Sequence, residues 1–218
     1  PISATPPSRG YSLLVFVPPW PGARVPHAWR KTLDENGVIF VTAAHSGNDA
    51  PEVTRRMPLA LDSYASIRAR YPVDPQRVYV GGFSGGARVA LRLAIAYPDL
   101  FRGALLDGGS DDIGSALVPL PDRPLLRQAQ DHLRLVYLDG TADETNAPAR
   151  ARTSMASARD LCIADVHELS MFHRGHEPAD VATWGRGLQL LEQARPSPSA
   201  DADTCRARVE AEVARAIA

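Results

Sequence analysis

The amino-acid sequence predicts an α/β fold, a three-layer α/β/α sandwich built around a mostly parallel sheet. Short apolar runs of strand length alternate with stretches of helical period, which is typical of a parallel sheet covered by helices on both faces. Crossovers between parallel strands are right-handed almost without exception, so the two helical layers follow from the strand order. The 218 residues are 44% hydrophobic and 22% charged, a composition that suits one globular unit with a substantial core.

The first part of the chain contributes three predicted strands, over residues 11–17, 38–43 and 77–81. A short helix over 27–36 ends at Gly37, because glycine suits the left-handed conformation that caps a helix. From residue 51 the apolar side chains recur at helical spacing, and Pro72 closes this second helix. The positions that carry the pattern are Val53, Met57, Leu61, Tyr64 and Ile67.

The second part of the chain continues the alternation of strands and helices. A helix runs from the third strand to residue 97, and further strands cover 102–107, 133–138 and 165–171, with helices over 147–161 and 179–194. The insertion over 108–132 is too short for a large mobile lid, and three prolines stiffen it (Pro119, Pro121 and Pro124). We therefore expect a minimal cap and an open site.

The two ends of the chain are predicted to lie outside the main domain of residues 11–194. Residues 1–10 read as a flexible lead-in, and residues 195–218 as a Pro/Ser linker followed by a helix, roughly 203–217, that packs on the domain. In that helix Cys205 shares one stripe with Val209, Val213 and Ile217. The stripe would bring Cys205 against the domain.

Two cysteines, Cys162 and Cys205, permit one disulfide bond. A disulfide would place the protein in an oxidising compartment, so we expect a secreted or periplasmic protein. The chain begins at Pro1 rather than Met, which is compatible with a removed export signal. The alternative is a pair of unbridged, partly buried thiols in a cytoplasmic protein.

Charge and hydropathy exclude two classes of partner. The 24 basic and 25 acidic residues leave a formal net charge of −1 with no block of one sign, whereas a nucleic-acid binder usually presents a basic face. No apolar run approaches the roughly 18 residues of a membrane span. The sequence carries no signal for the oligomeric state.

A glycine-rich motif follows the third strand directly and opens the next helix. Its pattern, Gly82-x-Ser84-x-Gly86, is that of a nucleophile elbow, in which a serine stands on a strained strand-to-helix turn. Glycines two residues either side let neighbouring chain pass closely. The helix that follows directs its N-terminal N–H groups at the site, which favours a developing negative charge. The alternative is a glycine-rich turn whose Ser84 only caps the helix.

A serine hydroxyl needs a base, and the base needs a carboxylate to hold it. In this fold the order along the chain is serine, then acid, then histidine. An acid follows the next-to-last strand, with Asp139 and Asp143 as candidates, and a histidine follows the last strand, with His173 and His176 as candidates. Both therefore stand in loops that leave the carboxyl ends of strands, where the functional groups of such sheets lie.

On these residues the chain resembles the α/β-hydrolase-fold serine esterases, and within them the polyhydroxybutyrate-depolymerase-like, feruloyl-esterase-like and dienelactone-hydrolase-like branch. The resemblance covers about residues 11–194. It implies Ser84 as nucleophile, with Asp143 of a Gly-Thr-Ala-Asp segment as acid and His176 of a Gly-His pair as base. The alternatives are Asp107 or Asp139 as the acid and His173 as the base.

The resemblance also implies an oxyanion hole, and here the sequence departs from its relatives. One donor would be the N–H of Gly85, the residue after the nucleophile. Relatives supply the other after a His-Gly pair, where this chain has Pro18-Pro19. Proline has no N–H, so Trp20 is the first residue that can donate. Trp20, with Phe83 and His45, is also predicted to line the substrate cleft.

The reaction that these residues predict is hydrolysis of a carboxylic ester through an acyl-enzyme, with no metal and no organic cofactor. The expected partner is a small or polymer-borne ester: a short acyl ester, a feruloyl or acetyl ester of a sugar, or a polyester. Two alternatives stay open. The proline pair would suit a catalytically impaired binding protein of the same fold, and a serine peptidase of this fold would use the same three residues.

Overall fold

A computed structural model describes residues 6–146, 148–194 and 200–217, with side chains up to residue 211 in the last range except those of residues 200 and 201. Parts of the sequence predictions lie outside the described residues. These are residues 1–5 of the lead-in, residues 195–199 of the linker, and the side chains of Val213 and Ile217 on the Cys205 stripe.

Six strands form one sheet in the order β2-β1-β3-β4-β5-β6, and every neighbouring pair is parallel. The predicted α/β architecture is confirmed. The strands are β1 Tyr11–Val17, β2 Val38–Thr42, β3 Val73–Phe83, β4 Gly103–Asp107, β5 Arg134–Gly140 and β6 Val166–Met171.

Seven α-helices connect or follow these strands in the described part of the chain. They are α1 Arg30–Glu35, α2 Met57–Arg68, α3 Gly85–Ala96, α4 Arg123–His132, α5 Pro148–Asp160, α6 Val181–Glu192 and α7 Ala200–Ile217. A short 3₁₀ turn, His27–Trp29, precedes α1, and a π-helical turn, Glu52–Arg56, precedes α2.

The core has two halves, one on each face of the sheet. Leu13 and Val15 of β1 face the half that includes side chains of α2 to α5, whereas Leu14 and Phe16 face the half that includes α1 and α6. In the second half Trp29 stacks on Trp184 with 4.2 Å between ring centroids. Because both faces are covered, the inner strands are continuously apolar, as the sequence pattern predicts.

Three elements differ from the sequence prediction. Strand β3 spans Val73–Phe83 and is thus longer at both ends than the predicted strand over 77–81. The π-helical turn closes with wider hydrogen bonds than an α-helix and so shifts the helical register. As a result Val53, expected in the core, is 73% exposed, and Arg56 is buried in its place. Helix α4 is absent from the prediction. Asp122 caps it by accepting a hydrogen bond from Leu125 N, and Pro124 lies in its first turn, where proline costs nothing.

The C-terminal helix α7 is fastened to α4 and α5. Cys205 forms a disulfide with Cys162, just beyond α5. Arg206 pairs with Asp131 of α4 at 3.0 Å, and Arg208 donates to the Asp160 carbonyl at 2.7 Å. None of the helices in the described ranges is long and apolar enough to cross a membrane.

Candidate active site

Ser84 stands on a sharp turn between β3 and α3, at the carboxyl edge of the sheet. Its backbone has φ 55° and ψ −125°, a conformation that costs a non-glycine residue free energy and that the surrounding structure must hold. One holding contact is the hydrogen bond from Ser84 N to the Asp107 carbonyl of β4, at 2.8 Å. The side chain is half-buried, so a ligand can reach it.

The glycines of the motif are required by close backbone approach. A Cβ atom on Gly86 would lie 2.0 Å from the Val17 carbonyl oxygen, and one on Gly82 would lie 2.4 Å from the Gly86 carbonyl carbon. Real Cβ atoms do not come so close to backbone. The end of β1, the turn and the start of α3 can therefore meet only if both positions lack a side chain.

Ser84, His176 and Asp143 form one hydrogen-bonded chain. Ser84 Oγ lies 2.8 Å from His176 Nε2, and His176 Nδ1 lies 2.7 Å from Asp143 Oδ2. The other carboxylate oxygen, Oδ1, accepts hydrogen bonds from Thr145 N and Asn146 N, both at 2.8 Å. The three residues come from the turns after β3, β5 and β6, and their order is that of a nucleophile, its base and an orienting acid.

The two predicted oxyanion donors are the N–H of Gly85, directly after Ser84, and the N–H of Trp20, in the loop after β1. Among the described residues neither Gly85 N nor Trp20 N donates a hydrogen bond to protein. Gly85 begins α3, whose N-terminus favours negative charge. A Cβ on Gly86 would also lie 3.2 Å from the Pro18 carbonyl carbon, so the segment that leads to Trp20 passes over the start of this helix.

Comparisons with known proteins agree with this architecture. The structure superposes on a Mycobacterium tuberculosis puromycin-hydrolyzing peptidase with a TM-score of 0.60 and 20% identity, over 83% of this chain and 33% of that one. It superposes on a ferulic acid esterase with a TM-score of 0.60 and 15% identity, over 82% of each chain. The chain has the α/β-hydrolase fold.

Sequence comparison adds one short match to the α/β-hydrolase assignment. Poly(3-hydroxyalkanoate) depolymerase C of Paucimonas lemoignei is 46% identical over 39 residues. That stretch is 18% of this chain and only 9% of the depolymerase, and the chain likewise spans about a third of the peptidase. No family profile matches the sequence. The resemblance to α/β-hydrolase esterases stands on the fold.

The other candidates for acid and base occupy different positions in this structure. His173 is exposed, its ring packs on Phe172 with 3.9 Å between centroids, and its backbone N donates to Thr141 Oγ1. Asp107 and Asp139 are buried at the ends of β4 and β5. Within the described ranges, none of these three side chains hydrogen-bonds to the side chain of Ser84 or His176.

Burial changes the protonation of the two buried aspartates. It raises the pKa of Asp107 to about 8, and the nearby carboxylates of Asp139 and Asp143 add to the rise. Burial also raises the pKa of Asp139 to about 7, with further contributions from Glu168 and Asp143. A buried, neutral carboxyl is a poor partner for a protonated histidine, so both residues fit a structural role.

Two aromatic side chains, Phe83 and Trp20, lie near His176 in the candidate site. The ring of Phe83 lies 5.1 Å from the His176 ring and 6.4 Å from that of Trp20, centroid to centroid. Phe83 is only 7% exposed, so it packs against the His176 ring and offers little surface to a ligand. Trp20 is half-buried and presents part of its ring. His45 is exposed and donates its backbone N–H to the Pro21 carbonyl at 2.7 Å.

Two residues near the free N–H groups have no signal in the sequence. A Cβ on Gly85 would lie 2.3 Å from Asn48 Oδ1, so the exposed Asn48 amide lies against the helix start. Arg56, buried in the π-helical turn, donates to the Ser46 and Pro18 carbonyls. Their partners are mainly backbone groups, which every residue carries, so spacing of residue types could not reveal them.

The insertion before α4 is tied to the helical layer. Ser154 Oγ donates to the Asp111 carbonyl at 2.8 Å, Ile113 N donates to Ser157 Oγ at 2.9 Å, and Arg92 Nε donates to the Leu117 carbonyl at 2.6 Å. Of these partners, Arg92 belongs to α3, and Ser154 and Ser157 belong to α5. The segment is thus anchored to the flank of the α/β-hydrolase fold by several hydrogen bonds, as a small fixed cap would be.

Proposed function

We propose that this chain is a serine hydrolase that cleaves carboxylic esters through an acyl-enzyme. The observation that carries the proposal is the hydrogen-bonded chain Ser84–His176–Asp143, with distances of 2.8 and 2.7 Å. Both lie within hydrogen-bond reach, the geometry that activation of a nucleophile requires. The strained turn at Ser84 supports the same reading, since strain of this kind is stored where a side chain must be aimed.

The mechanism follows from the positions of these atoms. His176 Nε2 takes the hydroxyl proton while Ser84 Oγ bonds to the ester carbonyl carbon, and Asp143 holds the Nδ1–H and stabilises the imidazolium. The N–H groups of Gly85 and Trp20 would hold the tetrahedral oxyanion. His176 then gives its proton to the leaving alcohol, which leaves the acyl group on Ser84. Water, deprotonated by His176, attacks the acyl carbon, and the acid departs as Ser84 regains the proton.

The proposed substrates are esters with a short or aromatic acyl group, free or borne on a polymer. The anchored cap segment supports this choice, because a long-chain lipid usually needs a mobile lid to cover its acyl chain. The half-buried ring of Trp20 beside the site would pack against an aromatic or short aliphatic acyl group. Feruloyl and acetyl esters of sugars and short polyester oligomers all satisfy these conditions.

One alternative is a binding protein of the same fold that has lost catalysis. The Pro18-Pro19 pair favours it, because it removes the usual oxyanion donor. Against it stands the Trp20 N–H, which is left without a protein acceptor in the described part of the chain. The serine peptidase alternative draws on the likeness to the puromycin-hydrolyzing peptidase, but this chain spans 33% of that protein.

Hydrolysis of p-nitrophenyl esters with C2 to C12 acyl chains tests the proposal. We expect the wild-type protein to prefer the short chains, and Ser84→Ala to lose activity by at least ~10⁴-fold. The matched pair is His176→Ala, expected to be as inactive, and His173→Ala, expected to keep wild-type activity. A fluorophosphonate should label Ser84 covalently. Absence of both turnover and labelling in the wild type would favour the binding protein, and strong activation at a long-chain lipid interface would contradict the open site.

We further infer that the protein works in an oxidising compartment, secreted or periplasmic. The Cys162–Cys205 disulfide supports this, because such bonds persist outside the reducing cytosol. Alkylation of the protein isolated from its native cells, with and without reduction, measures the state of both thiols by mass. If both cysteines alkylate without reduction, the cytoplasmic alternative replaces this inference.

A further inference from the structure

Arg56 is a buried cation whose hydrogen bonds go to backbone carbonyls of two loops beside the candidate site. The residue is 2% exposed. Its Nη2 donates to the Pro18 carbonyl after β1 at 3.1 Å, and its Nε donates to the Ser46 carbonyl after β2 at 3.0 Å. Burial lowers the pKa of this guanidinium, an effect that Asp49 partly offsets. In the described part of the chain no carboxylate lies within salt-bridge distance of it.

A buried charge without an ion-pair partner is costly, so its hydrogen bonds must stabilise a feature that matters. The planar guanidinium can donate in two directions at once, and here it joins the loop after β1 to the loop after β2. The turn that carries Arg56 is the π-helical segment before α2. Such turns often mark functional positions, because they re-aim one side chain out of helical register.

Three carbonyl groups of the loop after β1 accept hydrogen bonds from neighbouring elements. Arg56 holds the Pro18 carbonyl, Asn48 N donates to the Pro19 carbonyl at 2.9 Å, and His45 N donates to the Pro21 carbonyl at 2.7 Å. Pro18 and Pro19 have no N–H of their own, so the segment cannot form its own turn through donors there. Its conformation therefore depends on the donors that the loop after β2 and Arg56 provide.

One of these hydrogen bonds sets the direction of the Trp20 N–H. The Pro19 carbonyl and the Trp20 N–H belong to the same peptide group, which is planar and, like every peptide bond in the described residues, not cis. In a trans peptide the C=O and N–H point in opposite directions. Because Asn48 N holds the carbonyl on one side, the Trp20 N–H points to the other side, where no protein acceptor meets it.

We propose that Arg56 is a positioning residue that holds the Pro18–Trp20 segment so that the Trp20 N–H is presented as an oxyanion donor. The inference rests on the proposed function, since an oxyanion forms only if Ser84 attacks an acyl group. It explains how a chain with Pro18-Pro19 in place of His-Gly keeps a second donor. The prolines limit the segment's backbone freedom, and the arginine joins it to the loop that carries Ser46 and Asn48.

The test compares Arg56 variants with a variant of a second, half-buried arginine near the same turn. Arg56→Lys keeps the charge but loses the planar fork, and Arg56→Met loses both. Arg92 of α3 is the matched control, because it pairs with Glu52 of the π-helical turn and with Asp111, and donates to the Leu117 carbonyl. Arg92→Met should lower the melting temperature without touching the Pro18 carbonyl.

The measurements are kcat and KM on the best short ester, melting temperature, and hydrogen exchange of the Asn48 amide. Loss of one oxyanion donor typically costs about 10²–10³-fold in kcat. We expect Arg56→Met to lose ~100-fold in kcat and Arg56→Lys ~10-fold, with KM within about twofold of wild type. The Asn48 N–H is protected in the wild type by the Pro19 carbonyl. Its hydrogen-exchange rate should rise in both Arg56 variants and stay at the wild-type value in Arg92→Met.

Three results bear on the inference and on the proposed function separately. Wild-type kcat in a folded Arg56→Met variant would overturn the positioning role. An equal loss of kcat in Arg92→Met would also overturn it, because the effect would then be general loosening. A wild-type protein that hydrolyses no ester and takes no fluorophosphonate would refute the proposed function itself, and exchange at Asn48 would still decide whether Arg56 holds the loop.

Discussion

Asp107 should make the protein less stable as the pH rises from 6 to 8. The side chain lies at the end of β4 and is 1% exposed. Its Oδ2 accepts a hydrogen bond from Ala179 N at 2.9 Å, while its Oδ1 is buried and finds no hydrogen-bond partner within the described ranges. One N–H donor does not offset burial, which raises the pKa of Asp107 to about 8. The native protein therefore holds a proton on this carboxyl at neutral pH.

The sign follows from proton linkage. An unfolded aspartate has a pKa of 3.8, against about 8 in the native state. Between these values the native state binds a proton that the unfolded chain has released, so the free energy of unfolding falls as pH rises. One pKa unit corresponds to ~1.4 kcal/mol, so two pH units within the window correspond to ~2.7 kcal/mol. Above pH 8 the native carboxyl also ionises, so this group lowers the free energy of unfolding no further.

Urea unfolding of the wild type and of Asp107→Asn, at pH 6, 7, 8 and 9, measures the effect. Asparagine keeps the acceptor for Ala179 N but cannot ionise. Between pH 6 and 8 the free energy of unfolding should therefore fall by ~2–3 kcal/mol more in the wild type than in Asp107→Asn. The difference in slope decides the question, whatever the variant's absolute stability. Asp62→Asn, on the exposed surface of α2, is the matched control and should run parallel to the wild type. Equal slopes for wild type and Asp107→Asn would refute the reasoning.

Two further substitutions test the site. Gly86→Ala would place a Cβ 2.0 Å from the Val17 carbonyl, so we expect a loss of ~3 kcal/mol or more in the free energy of unfolding and no turnover in whatever remains folded; near-wild-type stability by urea unfolding would show that the turn can open. Trp20→Ala removes the ring but keeps the main-chain N–H, so KM should rise ~10-fold on aromatic acyl esters with kcat within about threefold. A large fall in kcat with unchanged KM would instead assign the ring to the transition state.

Most of the sheet is predictable because its strands are buried on both faces. A strand covered by helices on both sides is apolar over most of its length, so the runs of β1, β4 and β5 are visible as composition alone. The early part of β3 is different. Residues 73–76 include an aspartate and a proline, and Val73 pairs with Tyr11 only across a register shift. No alternation or apolar run marks such a strand extension.

Helix α4 shows the complementary limit. Of its ten residues only Ala129 is buried, with Leu125 and Leu126 half-buried beside it, so its apolar stripe is short and easily missed in a polar, proline-rich segment. Its start signals, Asp122 and Pro124, are also common turn residues. The π-helical turn escapes prediction for another reason: a pattern read at 3.6 residues per turn places Val53 inside, and one widened turn moves it out and brings Arg56 in.

Three aspartates follow adjacent strand ends in this fold, and residue type alone does not choose among them as partner of His176. Asp107 and Asp139 lie inside β4 and β5, where the strand directs them into the core and burial raises the pKa of each. Asp143 lies three residues beyond β5, in a turn stabilised by its own Oδ1, which accepts Thr145 N in the manner of an Asx turn. That turn leaves Oδ2 facing His176 at 2.7 Å.

Asn146 hydrogen-bonds to two carboxyl groups, that of Asp139 in β5 and that of Asp143 in the turn after β5. Its backbone N donates to Asp143 Oδ1 at 2.8 Å, and its side-chain Nδ2 donates to Asp139 Oδ1 at 3.2 Å. Asn146 thus contacts both the Asp139 carboxyl, which faces the core, and the Asp143 carboxyl, which faces His176. Which aspartate meets His176 is decided by where the strand ends and the turn begins, a property of backbone geometry. For this reason the Gly-Thr-Ala-Asp motif predicts where the Asp143 side chain lies better than residue type alone does.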